Sequence, residues 1–112
     1  MGSMERNKGK CGEREFAREL SWLLDGEARR GAQFRGGPES PDVVTPNVEG
    51  IHWEVKRCES LSLYVAMKQA VGDAGSDEVP VVAHRRNKQE WLVVLRLSDL
   101  RRLVKILSKV LL

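Results

Sequence analysis

SPDVVTPNVEGIHWEVKR, residues 40–57, is the stretch on which the fold turns. Its end alternates: along an extended chain Ile51, Trp53 and Val55 point one way, and His52, Glu54 and Lys56 the other. The apolar face belongs against a core. The polar face is either wet or holds a site, and Asp42, directly after Pro41, adds an acid upstream of it.

Working outward from this strand, the apolar positions Phe16, Ala17, Leu20, Leu23 and Leu24 recur at helical spacing from about residue 11, with Gly26 as the stop. Continuing that stripe one turn backwards reaches Glu13, which lands on the core-facing side of the helix. Residues 27–34 read as a short strand, 35–40 as a loop and 42–45 as a second strand. Pro46 to Gly50 makes a turn into the third strand, 51–58. A helix fits 61–74, with Leu63, Ala66, Met67, Ala70 and Ala74 inward. Two buried strands, 79–83 and 91–97, flank the basic turn His84 to Glu90. Ser98 is the expected N-cap of a last amphipathic helix through Leu111, with Leu100, Leu103, Val104, Leu107, Val110 and Leu111 on one side. The order is helix, three strands, helix, two strands, helix. The expected fold is therefore α/β, a central mixed five-stranded sheet flanked by helices.

At 112 residues, 41% hydrophobic and 31% charged, the chain suits one globular domain and argues against disorder. Residues 1–7 read as a tag or flexible start, and 8–112 as the domain. The net charge of +3 is only a mild tilt towards polyanions, so position matters more. Basic residues bunch at Arg29, Arg30 and Arg35, at Lys56 and Arg57, and at His84, Arg85, Arg86 and Lys88. Cys11 and Cys58 lack metal or redox spacing and read as reduced thiols. With no apolar run of membrane length and no signal-peptide core, the expected location is cytoplasmic.

If Glu13, Asp42 and Glu54 converge near Lys56, each pair of carboxylates about 4 Å apart repels by roughly 4 kcal/mol at an effective dielectric of about 20. One lysine cannot neutralise three acids, so such a cluster implies bound protons or a divalent cation. Oxygen ligands in a partial shell suit Mg²⁺ or Mn²⁺, which keep waters and leave room for a phosphate. His52 shares the face of Glu54, though an imidazole there reads more simply as surface or packed. Trp22, Trp53 and Trp91 read as core, and Tyr64 as either a stacking or a packing residue.

Pro41-Asp42, eleven residues (43–53), then Glu54-Val55-Lys56 resembles the PD-(D/E)XK nuclease signature. Lys8 to Phe16, KGKCGEREF, resembles the opening helix of Holliday-junction resolvases and related phage nucleases in that superfamily. The resemblance implies a restriction-endonuclease-like αβββαββ core with a C-terminal helix added. It implies Asp42 and Glu54 as metal ligands, Lys56 as the catalytic lysine, and Glu13 as a ligand or a polariser of bound water. Arg14 matches an arginine that faces substrate phosphate, and Gln69 lies where many members place a glutamine near the site. Arg29, Arg30, Arg35, Arg57, Arg85 and Arg86 become candidate DNA contacts, as does Ser40, which is equally well an exposed loop serine.

The function so implied is a Mg²⁺-dependent (or Mn²⁺-dependent) endodeoxyribonuclease acting on branched DNA, above all four-way junctions, with no small-molecule cofactor and no membrane partner. The chain has nowhere obvious to house elements that read base edges, which favours recognition of backbone shape. Paired nicks across a two-fold junction imply a homodimer. The rivals are a flap or repair nuclease of the VRR-NUC type and a non-catalytic DNA-binding module on the same fold.

Overall fold

The computed structural model describes residues 2–31 and 41–112, with side chains from residue 11 onward. Helix α1 spans Gly2–Leu24 and is followed by strands β1 (Arg29–Arg30), β2 (Val43–Val44) and β3 (Ile51–Arg57). Helix α2 (Leu63–Asp73), strands β4 (Val79–Arg85) and β5 (Leu92–Val94), a 3₁₀ turn (Leu97–Asp99) and helix α3 (Leu100–Leu111) complete the chain. The expected α/β class and αβββαββ order, with the added C-terminal helix, are both present.

The five strands lie in the order β1-β2-β3-β4-β5. The pairs β1–β2, β2–β3 and β4–β5 are antiparallel, and β3–β4 is parallel across the α2 crossover. Alternation on the two central strands decides what each face holds. On one face Trp53, Val55, Val81 and Ala83 meet Phe16, Ala17, Leu20 and Leu24 of α1, with Leu103, Ile106 and Leu107 of α3 packed beside them. The opposite face is covered by α2, whose Ala66 and Ala70 pack on Val82. Two alanines in place of larger residues let α2 sit close to the sheet.

Several sequence expectations are corrected. Helix α1 begins well before residue 11, and its left-handed end residue is Asp25 (φ 51°) rather than Gly26. Trp22, expected in the core, is 86% exposed, because α1 turns only its Phe16 to Leu24 stripe inward. The fifth strand is shorter than expected, and its Leu92 and Val93 are exposed, since it is the sheet edge and pairs with β4 alone. Ser98 caps nothing: it lies within the 3₁₀ turn, and the residue before α3 is buried Asp99, held by Arg96 at 2.9 Å. Of the apolar side expected on α3, Leu103 and Leu107 pack on the core, whereas Leu100, Val104, Val110 and Leu111 stay exposed and Ile106 packs instead. The expected strand end at 32–34 and the loop at 35–40 lie outside the described residues. Arg35 and Ser40 lie there too, so their assignments as DNA contacts have no structural account.

Candidate active site

The acid after the proline enters the sheet where two strands part. The backbone N–H of Asp42 donates to Trp53 O (3.0 Å), and two residues further along β3 the Val55 N–H donates to Asp42 Oδ2 at 2.8 Å. The Asp42 carboxylate thus stands where a strand carbonyl would otherwise accept. Gly31 makes this possible from the other side. Its N–H reaches Asp42 O (2.9 Å), and a Cβ at this position would lie 2.1 Å from Pro41 O. Only glycine lets β1 close on the PD segment.

Register and alternation then put the rest of the motif on one face. Val43 pairs with Trp53 and points to the α1 side, so Asp42, one residue earlier, points to the α2 side, as do His52, Glu54 and Lys56. Glu54 has a side chain only 6% exposed, and its Oε1 lies 3.0 Å from His52 Nε2. His52 is wholly buried. Of the two expected readings it is the packed one, with a hydrogen bond to Glu54 besides. Glu78 Oε1 stands 3.8 Å from its other nitrogen, too far for a hydrogen bond. Burial alone would lower the His52 pKa. The hydrogen bond and charge of Glu54, with Glu78 and Asp73 adding to them, outweigh burial and raise it above the ordinary 6.5. Lys56, further along and more open, donates from Nζ to Gln69 Oε1 at 3.0 Å, so α2 does bring Gln69 to the motif lysine.

Glu13 does not join this group. Its Oε1 accepts from Arg30 Nε at 2.7 Å, and Arg30, opposite Val43 in the ladder, points to the α1 side. The helix stripe that made Glu13 core-facing also carries it to the other face of the sheet. The expected convergence of three carboxylates is therefore absent. Among the described residues no group of three or more His, Cys, Asp and Glu side chains is arranged to hold a metal ion. Of the expected ligands, Asp42 and Glu54 are the two left on adjacent strands and one face, and they are the residues that could hold a hard cation. Two carboxylates with retained waters match the way Mg²⁺ is commonly held.

The basic residues divide in two. Arg57 and Arg85 both turn inward to Glu15. Arg85 Nη1 donates to Glu15 Oε1, which also accepts from Trp91 Nε1 (3.1 Å), and Arg57 Nε lies 3.8 Å from the same oxygen. Arg57 further donates to Asn87 Oδ1 at 3.0 Å. Close packing of α1 on β3 frames this cluster, since a Cβ on Gly12 would lie 2.4 Å from Arg57 Cβ. Arg29 pairs with Glu27, and Arg30 with Glu13. Arg14 and Arg86 are exposed. Of the arginines expected at DNA and described here, these two keep their charge outward without an acid partner among the described residues.

Alternation alone flags His52 as a neighbour of Glu54. Its burial could not be foreseen, because the cover comes from α2 and β4. Both cysteines are free, and no described helix is long and apolar enough to cross a membrane. Comparison of the chain with protein-family models, with curated proteins and with solved structures gives no match.

Proposed function

We propose that the chain is a metal-dependent endodeoxyribonuclease that cleaves branched DNA, four-way junctions foremost, in the manner of the PD-(D/E)XK nucleases that its motif resembles. The observation that carries this reading is the single polar face formed by Asp42, Glu54 and Lys56 where β2 and β3 part, with Gln69 on the lysine. Asp42 and Glu54 would hold Mg²⁺ or Mn²⁺, which when bound supplies charge stabilisation at the scissile phosphate. Lys56 places a cation where negative charge develops on phosphorus or on the attacking water. Arg14 and Arg86 would bind flanking phosphates. A second copy of the chain would supply the second nick. Flaps, the substrate of the VRR-NUC type, are the alternative within the same chemistry.

A non-catalytic DNA-binding module is the second reading, favoured by one fact: Glu13, Asp42, Glu54 and Lys56 each already have a partner within the protein. The deciding experiment is a nicking assay on labelled four-way junction, flap and plain duplex, each with and without Mg²⁺. Mg²⁺-dependent nicking of junctions above duplex supports the first reading. Binding without nicking, with or without Mg²⁺, supports the second.

A further inference from the structure

A carboxylate buried on a strand face must be matched by a donor, because transferring it unpaired out of water costs many kcal/mol. Glu54 is such a group, and its hydrogen-bond partner is His52, two residues back on the same face. The pair is dry, with side-chain exposures of 0% and 6%. A buried polar pair is seldom worth more to stability than apolar side chains of the same shape. The face around it would accept such a replacement, since Pro80 and Val82 lie beside His52 and Glu54 in the parallel register. The strand nevertheless keeps an imidazole there.

Geometry shows what the imidazole does. Its Nε2 faces Glu54 Oε1 at 3.0 Å, and the neutral Nε2–H tautomer and the imidazolium both donate along that line. The bond therefore exists whatever the charge on His52. Glu78 closes the far side of the ring: its Oε1 accepts the Gly75 N–H at 2.7 Å and stands 3.8 Å from His52 Nδ1. Held by one bond and enclosed on every side, the ring has no second place to go. With Oε1 of Glu54 engaged by the ring, any rotation of the carboxylate away from His52 costs that bond.

We propose that His52 is a positioning residue for the proposed nuclease site, fixing the Glu54 carboxylate through Nε2–H···Oε1 so that it and Asp42 face the same cation and phosphate. This rests on the nuclease reading above. The residue itself touches no substrate.

The test compares His52→Gln with His52→Asn. The Gln amide nitrogen falls where Nε2 lies and keeps the donor to Glu54, whereas the Asn amide stops at the place of Nδ1. Both are polar, both are smaller than the ring, and both should perturb packing alike. In metal-free protein the carboxyl ¹³C resonance of Glu54 should stay in place in His52→Gln and move in His52→Asn. On a four-way junction with Mg²⁺, His52→Gln should nick within about threefold of wild type. His52→Asn should lose about 10–100-fold in kcat, the usual effect of removing a group that orients a ligand, with KM unchanged and with the two variants melting together. An unmoved Glu54 resonance in His52→Asn overturns the proposal, and so do equal kcat losses in both variants. If neither variant folds, the wild type alone decides. A His52 Nε2–H that exchanges with solvent within seconds overturns the proposal, and a protected one upholds the bond. Wild-type protein that nicks no substrate overturns the nuclease reading instead, and the Glu54 resonance still reports whether His52 holds it.

Discussion

Strand β3 buries its residues Ile51 to Val55 from both sides, yet its two faces achieve burial by different means. On the α1 face Trp53 packs against Phe16, ring centroids 5.6 Å apart, and sends its indole N–H to Thr45 Oγ1 at 3.2 Å. Apolar area removed from water accounts for that face without further assumption. On the α2 face the same strand buries an imidazole and a carboxylate and ends on a lysine beneath a helix lined by alanines. Nothing in hydrophobic burial calls for that arrangement. Equal burial with opposite chemistry separates a face held by apolar packing from one that buries a hydrogen-bonded imidazole and carboxylate.

Breaking the structural face should have the largest effect on stability. Trp53→Ala should cost about 3–5 kcal/mol, read from urea denaturation, because the indole is buried, stacked on Phe16 and hydrogen-bonded. A loss under about 1 kcal/mol would remove the contrast between the faces.

The polar face should respond in activity and not in stability. Lys56→Ala removes only a bond to Gln69 at an exposed position, so melting should change little. Nicking should fall by about 10²–10³-fold or more, the usual effect of losing a group that stabilises transition-state charge. Junction affinity should stay within a few-fold. Substantial Mg²⁺-dependent cleavage by this variant would return Lys56 to the surface.

Asp42→Asn gives a sign rather than only a size. Three convergent acids would make this substitution stabilising. The structure instead has Glu13 paired with Arg30 and Asp42 accepting the Val55 N–H, and an ionised acceptor there is worth more than an amide oxygen. Metal-free Asp42→Asn should therefore melt lower, by about 1 kcal/mol of stability. Mg²⁺ at a hundredfold excess over its Kd should stabilise the wild type by about 2.7 kcal/mol and the variant by much less. A metal-free variant that melts higher would show that charge repulsion outweighs the lost bond.

The smallest effects belong to the arginines, which repeat the contrast between faces on a lesser scale. Arg86→Ala should weaken DNA binding and lower the slope of log K against log salt by about one, as one phosphate contact requires. Arg85→Ala should leave that slope nearly unchanged and reduce stability, since its guanidinium is turned to Glu15. If the two variants behave alike in a salt titration, the division between inward and outward arginines fails.

Local pattern determined much of this protein. The period of two in residues 51–57, the helical stripe through Phe16, Leu20 and Leu24, and the run of elements set an α/β sheet with Asp42, Glu54 and Lys56 on one side of it. These features are legible because alternation and helical pitch are properties of the chain itself. Long-range packing decided the rest. Whether Glu13 reached the acids depended on the face of the sheet that α1 covers, and it went to Arg30. Whether Arg57 and Arg85 faced solvent depended on Glu15 arriving from a helix some seventy residues before Arg85. Whether Trp22 and Val104 were core depended on how wide a stripe of each helix the sheet could accept. His52 shows the boundary between the two. Its side of the strand was fixed by parity, but its burial and its bond to Glu54 required α2 overhead and β4 alongside, because desolvation is set by everything that surrounds a group and not by its neighbours in sequence.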